Sequence, residues 1–288
     1  MAGPLLTARL TEEPNRPLYH YTSVDGLYGI LGSQSLRASA IQYLNDSLEF
    51  KHALGVAREY LYRREKESSE AVRRLLQSLR DQLERIEMFT VCAFSFSEDG
   101  DLLSQWRAYC PPGGGYSIGF RGNELRGRLI QQGCSLVRCV YDREEQMALV
   151  ADALDPFVRE LPTTEFPTDE GEFNRLRFPH DNEMFRRLAP VAPLIKHESF
   201  KEEKEWRAIC ALSSDGREDS TSEGPRDAYP LCHTPSRHSS GSNATHGIII
   251  GPTQHYYIAA LSLGEFARLN GQEFPQGIQT SRVPYREL

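Results

Sequence analysis

The 288-residue chain carries 33 Lys+Arg against 40 Asp+Glu, a net charge of −7, with 39% hydrophobic and 25% charged residues. This composition excludes a collagen-like, disordered or coiled-coil chain, and no apolar run approaches the roughly 18–20 residues of a membrane span. The acidic balance argues against a protein that coats nucleic acid, yet leaves room for an enzyme that touches one nucleotide.

The first 16 residues are polar and Pro-containing and read as a loose tail. The string PLYHYTS is a short aromatic strand. Thr22 or Ser23 then caps a helix carrying Leu27, Ile30 and Leu31, which Gly32 is expected to end. SLRASAIQYLND reads as extended or turn-like and closes on the N-cap cluster Asn45-Asp46-Ser47. Residues 47–87 show helical spacing and heavy charge, predicting two helices that break near Ser68-Ser69.

MFTVCAFSFSED alternates like a strand, DLLSQWRAY is a short helix, PPGGG a turn and GYSIGF a strand. A helix over NELRGRLIQQ, a strand over SLVRCVYD and a helix over 143–160 follow. Residues 161–180 are Pro-rich and read as irregular, and 181–197 as helical. EKEWRAICALS is a strand, and 214–245, rich in Ser, Gly, Asp and Pro, reads as a mobile loop. THGIIIGP is a buried strand, 255–270 a helix and 277–284 a last strand. The elements interleave without regular βαβ units. The expectation is one mixed α+β domain over 17–288 with a helical insertion at 47–87.

Six cysteines stand at 92, 110, 134, 139, 210 and 232 without a CxxC pair, so no structural zinc site is expected. Cys92, Cys139 and Cys210 sit in apolar runs and read as small core residues. The N-terminus shows no basic-then-apolar leader pattern, so a cytoplasmic, reduced chain is expected.

Four strings put polar groups where a core strand would not want them. On the first strand His20 and Thr22 share one face, Tyr19 and Tyr21 the other, just before a helix N-terminus suited to a phosphate or carbonyl. A core histidine bonded to backbone is the plainer alternative. Ser104, Arg107 and Tyr109 precede a glycine-rich turn, where Arg107 can hold a phosphate or carboxylate bidentately or join a surface ion pair. In FKEEKEWR a strand from Glu203 puts Glu203, Glu205 and Arg207 on one face and Trp206 in the core. Those charges need solvent or a ligand. The fourth string, Gln42 to Glu49, reads first as a helix cap.

The strings LYHYTSVDGLYGIL, YLNDSLEF, FSFSEDGDLLSQWRAY, GYSIGF, FKEEKEWR and IIIGP together resemble an uncharacterised bacterial domain family across residues 18–252. LYHYTSVDGLYGIL also resembles the opening strand and helix of ADP-ribosyltransferases of the DNA-modifying toxin branch. That resemblance implies a small mixed α+β fold split around NAD. It assigns the first-strand role to His20, the middle role to Tyr116 or Ser117 (or Tyr109), and the late-strand glutamate to Glu205, with Glu203-x-Glu205 similar to an E-x-E string.

The implied activity is NAD-dependent ADP-ribosylation of a macromolecule, nucleic acid or protein, in a toxin or phage-defence setting. NAD glycohydrolysis and a non-enzymatic nucleotide-sensing or adaptor domain are the alternatives. His20 would hold a ribose hydroxyl and Tyr116 would stack on nicotinamide. Glu205 would stabilise the developing oxocarbenium-like charge. Tyr21, Thr22, Tyr109, Ser117 and Glu203 would line the NAD site, and Arg107 or Arg207 would meet the pyrophosphate. The chemistry needs no metal and no membrane.

Overall fold

The strands Val91–Ser97, Cys134–Arg138 and Glu205–Ala211 carry an apolar face under helices on each side of the sheet. The structure, a computed structural model, describes residues 3–41, 47–83, 91–110, 114–164, 166–211, 232–233 and 244–284. In chain order they form α1 (Pro4–Thr11), β1 (Leu18–Thr22), α2 (Val24–Ser33), β2 (Ser35–Leu36), β3 (Ser39–Ala40), α3 (Ser47–Glu67) and α4 (Glu70–Asp81). Next come β4 (Val91–Ser97), α5 (Leu103–Tyr109), β5 (Tyr116–Phe120), α6 (Gly122–Gln131), β6 (Cys134–Arg138), α7 (Arg143–Arg159) and α8 (Glu170–Leu188). The chain closes with β7 (Glu205–Ala211), β8 (Cys232–His233), β9 (Thr245–Ile250), α9 (Tyr256–Leu269) and β10 (Ile278–Thr280). No described helix is long and apolar enough to cross a membrane.

The main sheet runs β10-β9-β5-β1-β4-β7-β6, with β3 also paired to β4. Its pairs are antiparallel except β10 with β9. Strand alternation separates two cores. One face carries Cys92, Phe94, Phe96, Leu136, Trp206 and Ala208, packed with Leu27 and Leu31 of α2, Leu125 and Leu129 of α6, and Leu263 of α9. The other carries Val91, Ala93, Val137 and Ile209, packed against apolar residues of α3, α4, α7 and α8. The charged helices of the expected insertion therefore share a core with α7 and α8.

Several sequence expectations change. The N-terminal segment is not loose: α1 starts on Pro4, tolerated in a first turn, and buries Leu6 in the helical core. Residues 161–180 are not irregular throughout. Asp169 caps α8 by accepting from Glu172 N, and the helix runs through Pro179 to Leu188 rather than to 197. Helix α2 ends at Ser33, with Gln34 rather than Gly32 in the left-handed cap position (φ 51°). Cys210 is not a free thiol, because it is joined to Cys134, its direct partner across β6 and β7. Cys92 and Cys139 are buried. Asn45-Asp46, the PPG of the turn, and nearly all of the 214–245 loop lie outside the described residues. Its Cys232–His233 pairs with β2 as β8.

Candidate active site

The sheet splits beside β4. Strand β1 meets β4 only at Tyr19↔Ser97, and β3 meets it only at Ser39↔Ala93 and Ala40↔Cys92. Among the described residues no strand covers residues 94–96 on that edge. His20 fills the opening. Its Nδ1 lies 3.0 Å from the Ser95 carbonyl, and its ring packs 4.1 Å from that of Phe94. A carbonyl only accepts, so Nδ1 carries the proton and Nε2 is the acceptor in neutral imidazole. Burial pulls the His20 pKa down to about 4, against the opposing Ser95 bond.

That shift makes a pH prediction. The folded pKa lies below the ordinary value of 6.5, so protons favour the unfolded chain as pH falls from 6.5 to 4. The His20 contribution is intact above that window and falls by at most about 3 kcal/mol at its acid end. Urea unfolding at both pH limits should show a steeper acid loss in the wild type than in His20→Gln. Equal losses would contradict the buried, neutral assignment.

A cavity of about 550 Å³ opens at the split, within the roughly 300–1,000 Å³ of small-molecule sites. His20, Thr22 and Ser95 line it with Arg37, Tyr109 and Glu205. Helix α2 forms one wall, with its Ser23 cap accepting from Gly26 N at 3.2 Å. A Cβ on Gly26 would fall 2.0 Å from Thr22 Oγ1, so glycine lets α2 lie close against β1. A smaller chamber of about 40 Å³ shares His20, Ser95, Tyr109 and Glu205 and adds Tyr21, Gln105 and Glu203.

Register places His20 on the Phe94–Phe96 face and Glu205, opposite Ser97, on the other face. The split brings the two residues to one cavity despite that difference. Glu203 does not share a strand face with Glu205. It ends a 3-10 segment, Glu198–Glu203, and Lys204 turns the chain at φ 44° before β7 begins.

Five charged side chains form one cluster, of which Glu49, Glu205 and Arg207 line the cavity. Arg207 Nε donates to Glu205 Oε1 at 2.6 Å and Nη1 to the Pro193 carbonyl at 2.9 Å, while Nη2 pairs with Glu49. Lys196 Nζ donates to Glu203 Oε2 at 2.5 Å and to Glu205 Oε2, and lies 3.1 Å from Glu49 Oε1. Three carboxylates face two cations. Burial would raise the Glu205 pKa, but Arg207 and Lys196 outweigh it and hold the carboxyl at about 2. Burial dominates at Glu203, which among the described residues has Lys196 as its cation, and sits above its usual value.

Of the three middle-position candidates, the one at the cavities is Tyr109. It lines both cavities, and burial with the Glu205, Glu203 and Glu49 carboxylates pushes its hydroxyl up to about 12, against the Lys196 charge. Tyr116 instead packs in the apolar core, and Ser117 is fully buried in β5; neither lines these two cavities. Tyr21 is a strut: its hydroxyl donates to the Asp99 carbonyl and accepts from Leu102 N, both at 2.8 Å. Arg107 is exposed on α5 and lines neither cavity. Arg207 is engaged by the cluster, so among the described residues Arg37 is the cation left at the cavity for an anionic group.

The sequence reading missed Lys196 and undervalued Glu49. The only local signal at Lys196 is a lysine closing the apolar run Pro193-Leu194-Ile195. Residues 105–208, 104 of 288, match the model of a family described as a protein of unknown function (DUF2971). No curated protein and no solved structure matches the chain. The matched stretch contains Tyr109, Lys196, Glu203, Glu205 and Arg207, and stops short of the first-strand residue His20.

Proposed function

We propose that the chain transfers ADP-ribose from NAD to a macromolecular acceptor, nucleic acid or protein, at the cavity of the split sheet. The observation that carries the reading is the convergence of His20 on β1 and Glu205 on β7, far apart in sequence, on one cavity that Tyr109 also lines. NAD enters with a cationic nicotinamide. The bond from ribose C1′ to the nicotinamide nitrogen breaks, and its electron pair neutralises the ring. The positive charge moves onto the ribose until the acceptor nucleophile bonds to C1′ and loses its proton.

A cluster of three carboxylates and two cations carries one net negative charge when fully ionised, which suits a cation in the ground state and at the transition state. His20 Nε2 accepts from a ribose hydroxyl. Tyr109 offers the flat aromatic contact to nicotinamide in place of Tyr116. Arg37 faces the pyrophosphate in place of Arg107 and Arg207.

Hydrolysis is the second reading, and the small chamber beside Glu203 and Glu205 favours it. Its roughly 40 Å³ leaves room for ordered water among polar groups. NAD carrying label in its adenylate half, incubated with purified protein and cell lysate, separates the readings. Label on a macromolecule supports transfer, and free ADP-ribose alone supports hydrolysis. Unconsumed NAD overturns both in favour of a binding or adaptor domain.

A further inference from the structure

Lys196 is the largest of the fully buried side chains, with 1% of its surface exposed. Its backbone is clamped on both sides. Lys196 N donates to the Val140 carbonyl at 3.0 Å, and Gln146 Nε2 donates to the Lys196 carbonyl at 2.7 Å and to the Val140 carbonyl at 2.9 Å. The ammonium thus leaves a fixed point. It has three N–H donors, and three carboxylates lie within reach: Glu49, Glu203 and Glu205. The Phe200 ring covers it at 5.1 Å.

Stability alone does not account for such a residue. A buried ion pair repays its desolvation only with good geometry, and apolar replacements are often neutral or stabilising. The carboxylates differ in their other partners. Glu205 and Glu49 also bond Arg207, whereas among the described residues Lys196 is the one cation on Glu203. Two of the three, Glu203 and Glu205, line the small chamber.

We propose that Lys196 is a positioning residue that holds Glu203 and Glu205 side by side at the chamber and keeps Glu205 an anion there. The proposal rests on the reading of this cavity as the reaction site, but the placement of the two carboxylates can be read without any turnover. Beyond the five clustered side chains, the ionisable groups among the described residues that face the cluster include Cys139 and Tyr141 after β6, Tyr109 on α5 and, towards Glu49, His52 on α3. The variants below leave all of these in place.

Lys196→Met alone leaves Glu203 without its cation, so the informative comparison is Glu203→Gln against Lys196→Met/Glu203→Gln, which removes one charge of each sign. The full chain, labelled with ¹³C at its glutamate carboxyls, is titrated by NMR, with Glu205→Gln identifying the resonance. In Glu203→Gln the Glu205 carboxyl should stay ionised down to about pH 3. In the double variant its midpoint should rise by about one unit or more, because one opposite charge is gone.

With NAD, the double variant should lose about 10²-fold in kcat relative to Glu203→Gln. The acid limb of its kcat/KM profile should move up with the Glu205 midpoint. A folded double variant with an unmoved midpoint overturns the proposal. So does a double variant that fails to fold, which would make Lys196 a structural strut. A wild-type chain that leaves NAD intact defeats the reaction reading alone, and the carboxyl titration still decides the lysine.

Discussion

Glu205→Gln should lower NAD cleavage by about 10²–10³-fold while the chain stays folded, the range for losing one preorganised electrostatic group. Glutamine keeps the shape and can still accept from Arg207 Nε. It removes the anion, and the cluster goes from one net negative charge to neutral. A developing ribosyl cation then faces Lys196 and Arg207 with less compensation. Nicotinamide release at saturating NAD reads the effect, with NAD affinity by calorimetry as the control. Binding should be nearly retained, because the lost interaction grows mainly in the transition state. Full NAD consumption by a folded Glu205→Gln chain would remove this glutamate from the mechanism.

Trp206→Ala should destabilise the fold by about 3–5 kcal/mol, as large aromatic truncations in cores do. Trp206 is 2% exposed within the α2–α6–α9 core, and its Nε1 donates to Glu98 Oε1 at 3.0 Å. Strand alternation ties it to function. With Trp206 pointing into one core, Glu205 and Arg207 must point to the other face, where Glu49 and Lys196 wait. The loss is read from urea unfolding at neutral pH. Near-wild-type stability would mean that the strand phase is wrong, and with it the aim of Glu205.

That phase was legible in Glu205-Trp206-Arg207, where charge alternates with an aromatic, but the string did not reveal that Glu203 lies before the strand. The opening of the site was legible for a similar reason. His20 and Thr22 alternate with two tyrosines, and Ser23 supplies a helix cap. The break between α3 and α4 at Ser68-Ser69 was also written locally. Helix α1 was not, since a single buried leucine in a polar segment gives no stripe to read. Pro179 hid α8, although Asp169 and Glu172 give a cap signal ten residues earlier.

The ion cluster was out of reach for another reason. Lys196 stands among apolar neighbours, Glu49 looks like a helix-start acid, and only the topology brings them to Arg207. Tyr116 packs in the apolar core, and alternation gives a face but not what covers it. Tyr109, one helix away, was named as an alternative, and nothing local separates the two.

The proposed pose lays NAD across the split with its nicotinamide ribose between His20 and Glu205. A crystal structure of Glu205→Gln soaked with NAD tests it directly. The predicted result places a ribose hydroxyl within hydrogen-bond reach of His20 Nε2, nicotinamide against Tyr109 and the pyrophosphate towards Arg37. A dinucleotide seated elsewhere, or an empty cavity at saturating NAD, would contradict it.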